Sequence, residues 1–201
     1  MFQLFLFAKR IGLIPKNLSW IIDAEEYFIM EYNLRKRNVY IRSKPKIPVQ
    51  VKILNKSKLP NKLLTIQNLE KTDLCCFAEY RNQIIHYTFA TFKIWNYSEY
   101  KSIKFYCKPK TAYLFNSFTE KGFRRMHIAS LVYETLLHHL KQMGIERAYV
   151  TVRTNNYGAL NLDLKIGFKP VGIIKFFKLL SFATYTLNLE QKKEIGLIIA
   201  R

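Results

Sequence analysis

The sequence predicts a mixed α/β domain, an α+β mixed sheet with helices packed against it. Residues 111–172 run in the order strand, basic turn, helix, strand, Asn-led turn, helix, Gly-Phe, strand. Two apolar runs over 74–92, split by Arg81-Asn82-Gln83, read as an antiparallel hairpin. With 201 residues, 49% of them hydrophobic, the chain is long and apolar enough for one sizeable core and too apolar for a disordered basic tail.

The elements follow in order. Met1–Ala8 is apolar but stops at Lys9-Arg10, with no positive segment before it and no small-residue cleavage site after it. It is read as a buried element and not as a secretory signal. Trp20–Leu34 has apolar residues at 20, 21, 24, 28, 29 and 32, close to helical spacing. Ser19 is the expected N-cap, and Arg35-Lys36-Arg37 suits a helix C-terminus. Pro45 and Pro48 mark a boundary, dividing a partly helical extension over 1–45 from a domain over 46–201. Val49, Val51 and Ile53 alternate with Gln50 and Lys52 as in a half-buried strand.

The hairpin strands are Leu74–Tyr80 and Ile84–Phe92, and Thr111–Phe118 is a further strand. Apolar positions 128, 131, 132, 136, 140 and 143 share one helical face, and Gly144 ends that helix. Arg147–Val152 is a strand, Tyr157–Ile166 a short helix ended by Gly167, and Phe168 opens the last β region. Val171–Leu189 is apolar but interrupted by Lys175 and Lys178, so no spanning helix is expected and a cytoplasmic location follows.

The chain has 33 Lys and Arg against 14 Asp and Glu, a net charge of +19. Residues 1–70 contribute 13 basic and 5 acidic residues, so the charge is not confined to a tail. Such a charge suits an anionic partner: nucleic acid, a membrane surface or a phosphate-bearing metabolite. A Lys-, Asn- and Ile-rich composition of the kind an AT-biased genome gives explains part of it equally well. Three cysteines, two of them adjacent at Cys75-Cys76, indicate neither a disulfide framework nor a zinc site. His138 and His139 lack the spacing of a helical metal pair, and no metal is expected.

Lys121–Ser130 holds the most informative residues. A helix start has unpaired N–H groups and a partial positive charge, so a strand that turns tightly into a helix forms a phosphate site. Lys121, Arg124 and Arg125 lie in this turn, where basic residues oppose the helix dipole and are better explained by a ligand. Small Ala129 leaves room for close approach, and a pyrophosphate is the natural guest.

Phe123-Arg124-Arg125-Met126-His127-Ile128-Ala129 resembles the acetyl-CoA-binding signature of the GNAT (GCN5-related) N-acetyltransferases, [Arg/Gln]-x-x-Gly-x-[Gly/Ala]. Asn156-x-x-Ala159 and Lys165-Ile166-Gly167-Phe168 resemble later features of the same fold. The resemblance covers about 49–189 and is close over 113–172. It implies a mixed sheet with two splayed central parallel strands, 111–118 and 147–152, and acetyl-CoA as co-substrate. The pantetheine arm would meet Phe118 and Thr119, and Asn156 would contact it as well. The pyrophosphate would meet Arg124, Arg125, Met126, His127, Ile128 and Ala129.

The implied reaction is direct attack of an amine on an acetyl thioester, which needs a base, an oxyanion stabiliser and an acid. Two residues depart from the family pattern. His127 stands where the middle Gly is usual, and Asp163 stands where the family has the Tyr that protonates the thiolate. An ionised Asp cannot donate that proton, which leaves Tyr157 or solvent. Glu120 and His86 are the candidate bases, with Glu79 a further carboxylate on the hairpin. The resemblance to bacterial members associated with polysaccharide biosynthesis implies a small-molecule amine acceptor, such as a nucleotide- or lipid-linked amino sugar. The competing class is a non-catalytic module with the same core that binds nucleic acid or touches an anionic membrane through its basic face. The sequence has no helix-turn-helix, zinc-finger or RNA-binding aromatic motif to support it.

Overall fold

The structure is a computed structural model that describes residues 22–64, 69–96, 104–179, 182–189 and 197–200, together with Phe7. The apolar Met1–Ala8 stretch, Phe7 apart, and the proposed Ser19 cap lie outside these residues. The strands are β1 (Ile22–Asn33), β2 (Gln50–Asn55), β3 (Leu74–Tyr80), β4 (Gln83–Thr91), β5 (Ile94–Asn96) and β6 (Lys104–Cys107). They continue with β7 (Thr111–Thr119), β8 (Arg147–Arg153), β9 (Lys169–Leu179), β10 (Phe182–Leu189) and β11 (Leu197–Ala200). The helices are α1 (Asn61–Leu64), α2 (Ile128–Gln142) and α3 (Tyr157–Ile166).

Among the described residues, eight strands form one sheet in the order β10-β9-β1-β8-β7-β4-β3-β2, and β11-β6-β5 form a second, smaller sheet. Among the described pairings of the large sheet, β7 and β8 run parallel and the others antiparallel. The hairpin, the β2 strand, α2 and α3 fall where the sequence places them, within a residue or two at their ends. On α2 the buried face also takes in Tyr133 and Leu137, whereas Met143 is exposed.

The helix expected over Trp20–Leu34 is corrected: residues 22–33 are a strand at the heart of the large sheet. Tyr27 to Asn33 pair with Arg153 to Arg147 of β8, and Ile22 to Glu31 pair with Leu179 to Lys169 of β9. The register slips between Ile29 and Met30, which marks a bulge. Tyr27 and Ile29 face one core, and Phe28, Met30 and Tyr32 face the other. A strand buried on both faces has apolar residues at odd and even positions alike, and their combined spacings imitate a helix.

Charge also favours β1 in this place. Glu25 pairs with Arg153 at 3.1 Å, Glu26 with Lys175 at 3.7 Å and Glu31 with Arg147 at 4.0 Å. An acidic strand thus lies between two basic ones, as favourable cross-strand pairs require. Arg35-Lys36-Arg37 leaves β1 through a turn and not a helix end.

From Arg37 the chain crosses the outside of α2 as an extended strap. Lys141 Nζ donates to the Arg37 carbonyl at 2.7 Å, and His138 Nδ1 lies 3.3 Å from the Val39 carbonyl. The Arg42 and Ser43 amides donate to Glu134 Oε2 at 2.9 and 2.8 Å, and the Lys46 amide to the Met126 carbonyl at 3.1 Å. The strap therefore follows α2 from its C-terminal end to the basic turn.

The cores lie on the two faces of the sheet. On one, Ile128, Val132, Leu136 and Leu140 of α2 pack on Cys76, Ala78 and Ile85. On the other, Leu59, Leu63 and Leu69 cover Phe77, Phe89, Tyr113 and Tyr149. Cys75 and Cys76 are fully buried, and burial pushes the Cys75 thiol up to about 12 and Cys76 further in the same direction. They are packing residues, not nucleophiles.

Candidate active site

The site begins with a break in sheet pairing. β7 and β8 are paired only from Thr111–Arg147 to Leu114–Val150, and beyond that they part. The cause is on β7. Its partner β4 sets Tyr87 opposite Phe118 and Phe89 opposite Phe115, so Asn116 and Ser117 together face Thr88. Asn116 has φ 48°, a left-handed conformation that Asn tolerates better than most residues. This bulge bends β7 off the line of β8. In the gap the Tyr113 hydroxyl lies 2.6 Å from Thr151 Oγ1, a bridge between the separating strands.

A cavity of about 340 Å³ fills the splay, lined by Phe115, Asn116, Val152 and Arg153 among others. A second, of about 590 Å³, lies between the end of β7, the basic turn and α3. The two share Ser117, Tyr133, Asn156, Ala159 and Asp163, so they meet in one groove. Phe118, Thr119, Arg124, Arg125, Met126, His127, Ile128, Ala129 and Asn156, the residues singled out for cofactor binding, all line this groove.

The turn is shaped by backbone conformation. Arg125 and His127 have φ of 60° and 61°, both left-handed, and the helix begins directly after His127. His127 thus adopts the conformation that the family's glycine would supply, without its freedom, at a cost of about 1–2 kcal/mol. No side chain caps α2 through His127, so the first-turn N–H groups are left for a ligand. Arg124 folds back, its Nε donating to the Thr119 carbonyl at 3.2 Å, while Arg125 and His127 are exposed. Asn156 is held by its capping role: Oδ1 accepts from the Ala159 amide at 3.2 Å, which fixes the side chain on the groove wall. Open N–H groups, basic side chains and an elongated groove are the donor set and shape that a pantetheine-linked nucleotide diphosphate requires.

Three titratable groups stand out along the groove. His86, only 1% exposed, has Nδ1 2.7 Å from Thr119 Oγ1, and its buried Nε2 has no partner. Burial lowers its pKa to about 4, so the ring is neutral at physiological pH. Asp163, also 1% exposed, is pushed up to about 7 by burial. The sequence reading that an ionised Asp cannot donate a proton concerns the carboxylate alone, and burial favours the carboxylic acid. Tyr133 is raised above the usual phenol range by burial first and then by the neighbouring Asp163 carboxyl, with a hydrogen bond to Ser117 acting the other way.

The remaining candidates are placed differently. Tyr157 is 68% exposed and lines neither cavity, which favours the buried Asp163 over it as the proton donor. Glu120 follows the last residue of β7, half exposed and outside the lining of both cavities, with its carboxylate 3.5 Å from Lys62 Nζ. Glu79 is ion-paired with Lys52 on the hairpin. Tyr133 and Ser117 were not singled out in the sequence. Tyr133 lies four residues before Leu137 on the buried side of α2, so helical spacing alone could have placed it inside. Among the described residues no group of His, Cys, Asp and Glu is arranged to hold a metal ion, and none of their helices is long and apolar enough to cross a membrane.

Comparison with known proteins agrees with this geometry. A family model described as the acetyltransferase (GNAT) family matches residues 52–168, more than half of the chain. Among curated proteins, no sequence matches. Solved structures similar in fold include a GCN5-related N-acetyltransferase from Sphaerobacter thermophilus, with TM-score 0.56, 10% identity, and coverage of 86% of this chain and 56% of that one. A GNAT-family protein from Novosphingobium aromaticivorans gives TM-score 0.54 and 12% identity over 84% of this chain and 66% of that one. The chain spans two thirds or less of the length of either protein, and at these identities the likeness is one of fold. The family match, the parted parallel strands and the basic turn lead to one assignment: the chain belongs to the GNAT family of acetyltransferases.

Proposed function

We propose that the chain is an acyl-CoA-dependent N-acyltransferase that moves acetyl from acetyl-CoA to the amine of a small acceptor by direct attack. The observation that carries this reading is the continuity of the groove, from the basic turn to the splay, with Asp163 and Tyr133 where its two parts meet. The turn amides and Arg125 hold the pyrophosphate, and the pantetheine runs past Phe118, Thr119 and Asn156. The amine forms the new C–N bond, the C–S bond breaks, and CoA leaves as its thiol. Asp163, whose carboxylic acid form burial favours, supplies the proton to the departing sulfur, with Tyr133 beside it. His86 is too weak a base to keep the proton of an ammonium, so it positions Thr119. Glu120, at the end of β7, takes that proton. A charge of +19 repels polycations and suits an acceptor that carries phosphate, such as a nucleotide- or lipid-linked amino sugar.

The test is binding followed by turnover. Acetyl-CoA raises the melting temperature of the protein, and Ala129→Tyr, which fills the groove beside the turn, removes the rise. Release of CoA thiol is then followed over a panel of amines, where Glu120→Gln lowers the rate at least tenfold. Absence of any melting shift at millimolar CoA overturns the proposal.

A further inference from the structure

The strap makes a third pocket beside the turn. About 380 Å³ in volume, it is lined by Arg42, Lys44, His127, Ser130, Glu134 and Lys165. It shares His127, Ser130 and Lys165 with the groove, so the two are contiguous. Arg42, Lys44 and Lys165 give it three cations against one carboxylate. That carboxylate is occupied structurally: Glu134 Oε2 accepts from the Arg42 and Ser43 amides at 2.9 and 2.8 Å. Glu134 thus fastens the strap and sets the two cationic side chains next to the turn. A further hold, from the Lys46 amide to the Met126 carbonyl at 3.1 Å, ties the strap to the turn itself.

We propose that this pocket receives the phosphomonoester on the ribose of the CoA nucleotide, its 3′-phosphate, through Arg42, Lys44 and Lys165. The inference rests on the reading of the turn as the pyrophosphate site. A nucleotide whose pyrophosphate sits on the turn carries its ribose phosphate close to that diphosphate, and the pocket adjoins the turn at His127 and Ser130. A phosphomonoester bears close to two negative charges near neutrality, more than a phosphodiester, and matches a pocket with a surplus of two cations. The site also gives a task to basic residues of the N-terminal third, which the turn alone leaves without one.

The experiment compares CoA with 3′-dephospho-CoA by calorimetric titration at fixed ionic strength. The wild type binds CoA about tenfold more tightly than dephospho-CoA, and added salt narrows the ratio. Arg42→Ala/Lys44→Ala brings the ratio close to one, chiefly by weakening CoA. Lys71→Ala, an exposed lysine before the far end of β3, leaves the ratio unchanged and controls for net charge. If both ligands bind the wild type equally, or if the double variant keeps the preference, the inference falls while the CoA reading stands. A preference lost equally in Lys71→Ala also overturns it, since long-range charge then explains the effect. If neither ligand binds, the CoA reading falls and takes the inference with it.

Discussion

Asp163 and His86 face one groove with opposite responses to burial. Asp163 rises from 3.8 to about 7, so the folded protein binds its proton more tightly than the unfolded chain does. Its contribution to stability is full below about pH 4 and is lost as pH climbs to about 7, on the order of 4 kcal/mol in all. His86 falls from 6.5 to about 4, so its contribution is full above about pH 6.5 and is lost as pH drops to about 4. Between these limits the slopes oppose each other. Asp163→Asn unmasks the histidine: stability rises from pH 4 to 6.5, and at pH 8 the variant melts above the wild type. His86→Gln unmasks the aspartate: stability falls over the same interval. Urea midpoints from pH 4 to 8 measure both, and parallel profiles for the two variants would refute the assignment. The sequence located Asp163 by its distance from Gly167-Phe168, but its protonation depends on neighbours brought from α2 and β7. His127 was visible as a departure from glycine. Its left-handed backbone was not, because only the assembled turn demands that φ.

At the level of elements, α2, α3 and the hairpin were legible because each carries its own periodicity and its own stop signal. Gly167 is such a signal, with φ 113° and a carbonyl that accepts from Arg37 Nη1 at 2.9 Å. A Cβ there would run into that guanidinium as well as force a strained backbone. Gly167→Ala is therefore expected to cost about 2 kcal/mol or more, read as a lowered urea midpoint, and Arg37→Ala in the same chain restores part of the loss. The strap and β1 were not legible. A strand buried on both faces has no polar-apolar alternation to show, and an extended strap has no period at all. The pocket under the strap shares this cause: Arg42 and Lys44 are distant in sequence from the turn and come beside it only along α2.

Across the whole molecule, the charge divides between interior and surface. Glu25, Glu26 and Glu31 are spent on Arg153, Lys175 and Arg147 within the sheet. Lys121, Arg124, Arg125, Arg42, Lys44 and Lys165 gather around the turn and the strap. These six place positive charge near the groove mouth, where it speeds the capture of an anionic nucleotide. Association with CoA is expected to slow at least several-fold between 20 and 200 mM salt, as stopped-flow measurements would register, with a smaller effect on dissociation.

The place of β1 has a consequence for how the chain assembles. Tyr27 finds its partners at Arg153 and Ile174, so the first strand of the large sheet in sequence can pair only after segments more than a hundred residues later exist. Contacts of such separation make folding slow. Until then β1 offers two open edges and a run of apolar side chains, the kind of segment that recruits other chains. Its carboxylates keep it unattractive to other β1 copies during that wait, and only the basic strands β8 and β9 can neutralise them. Replacing Glu25, Glu26 and Glu31 together with Gln should leave a foldable protein that aggregates more on refolding from urea, seen as light scattering that grows with protein concentration. The acids that complete the sheet are thereby also its chaperones before the sheet is made.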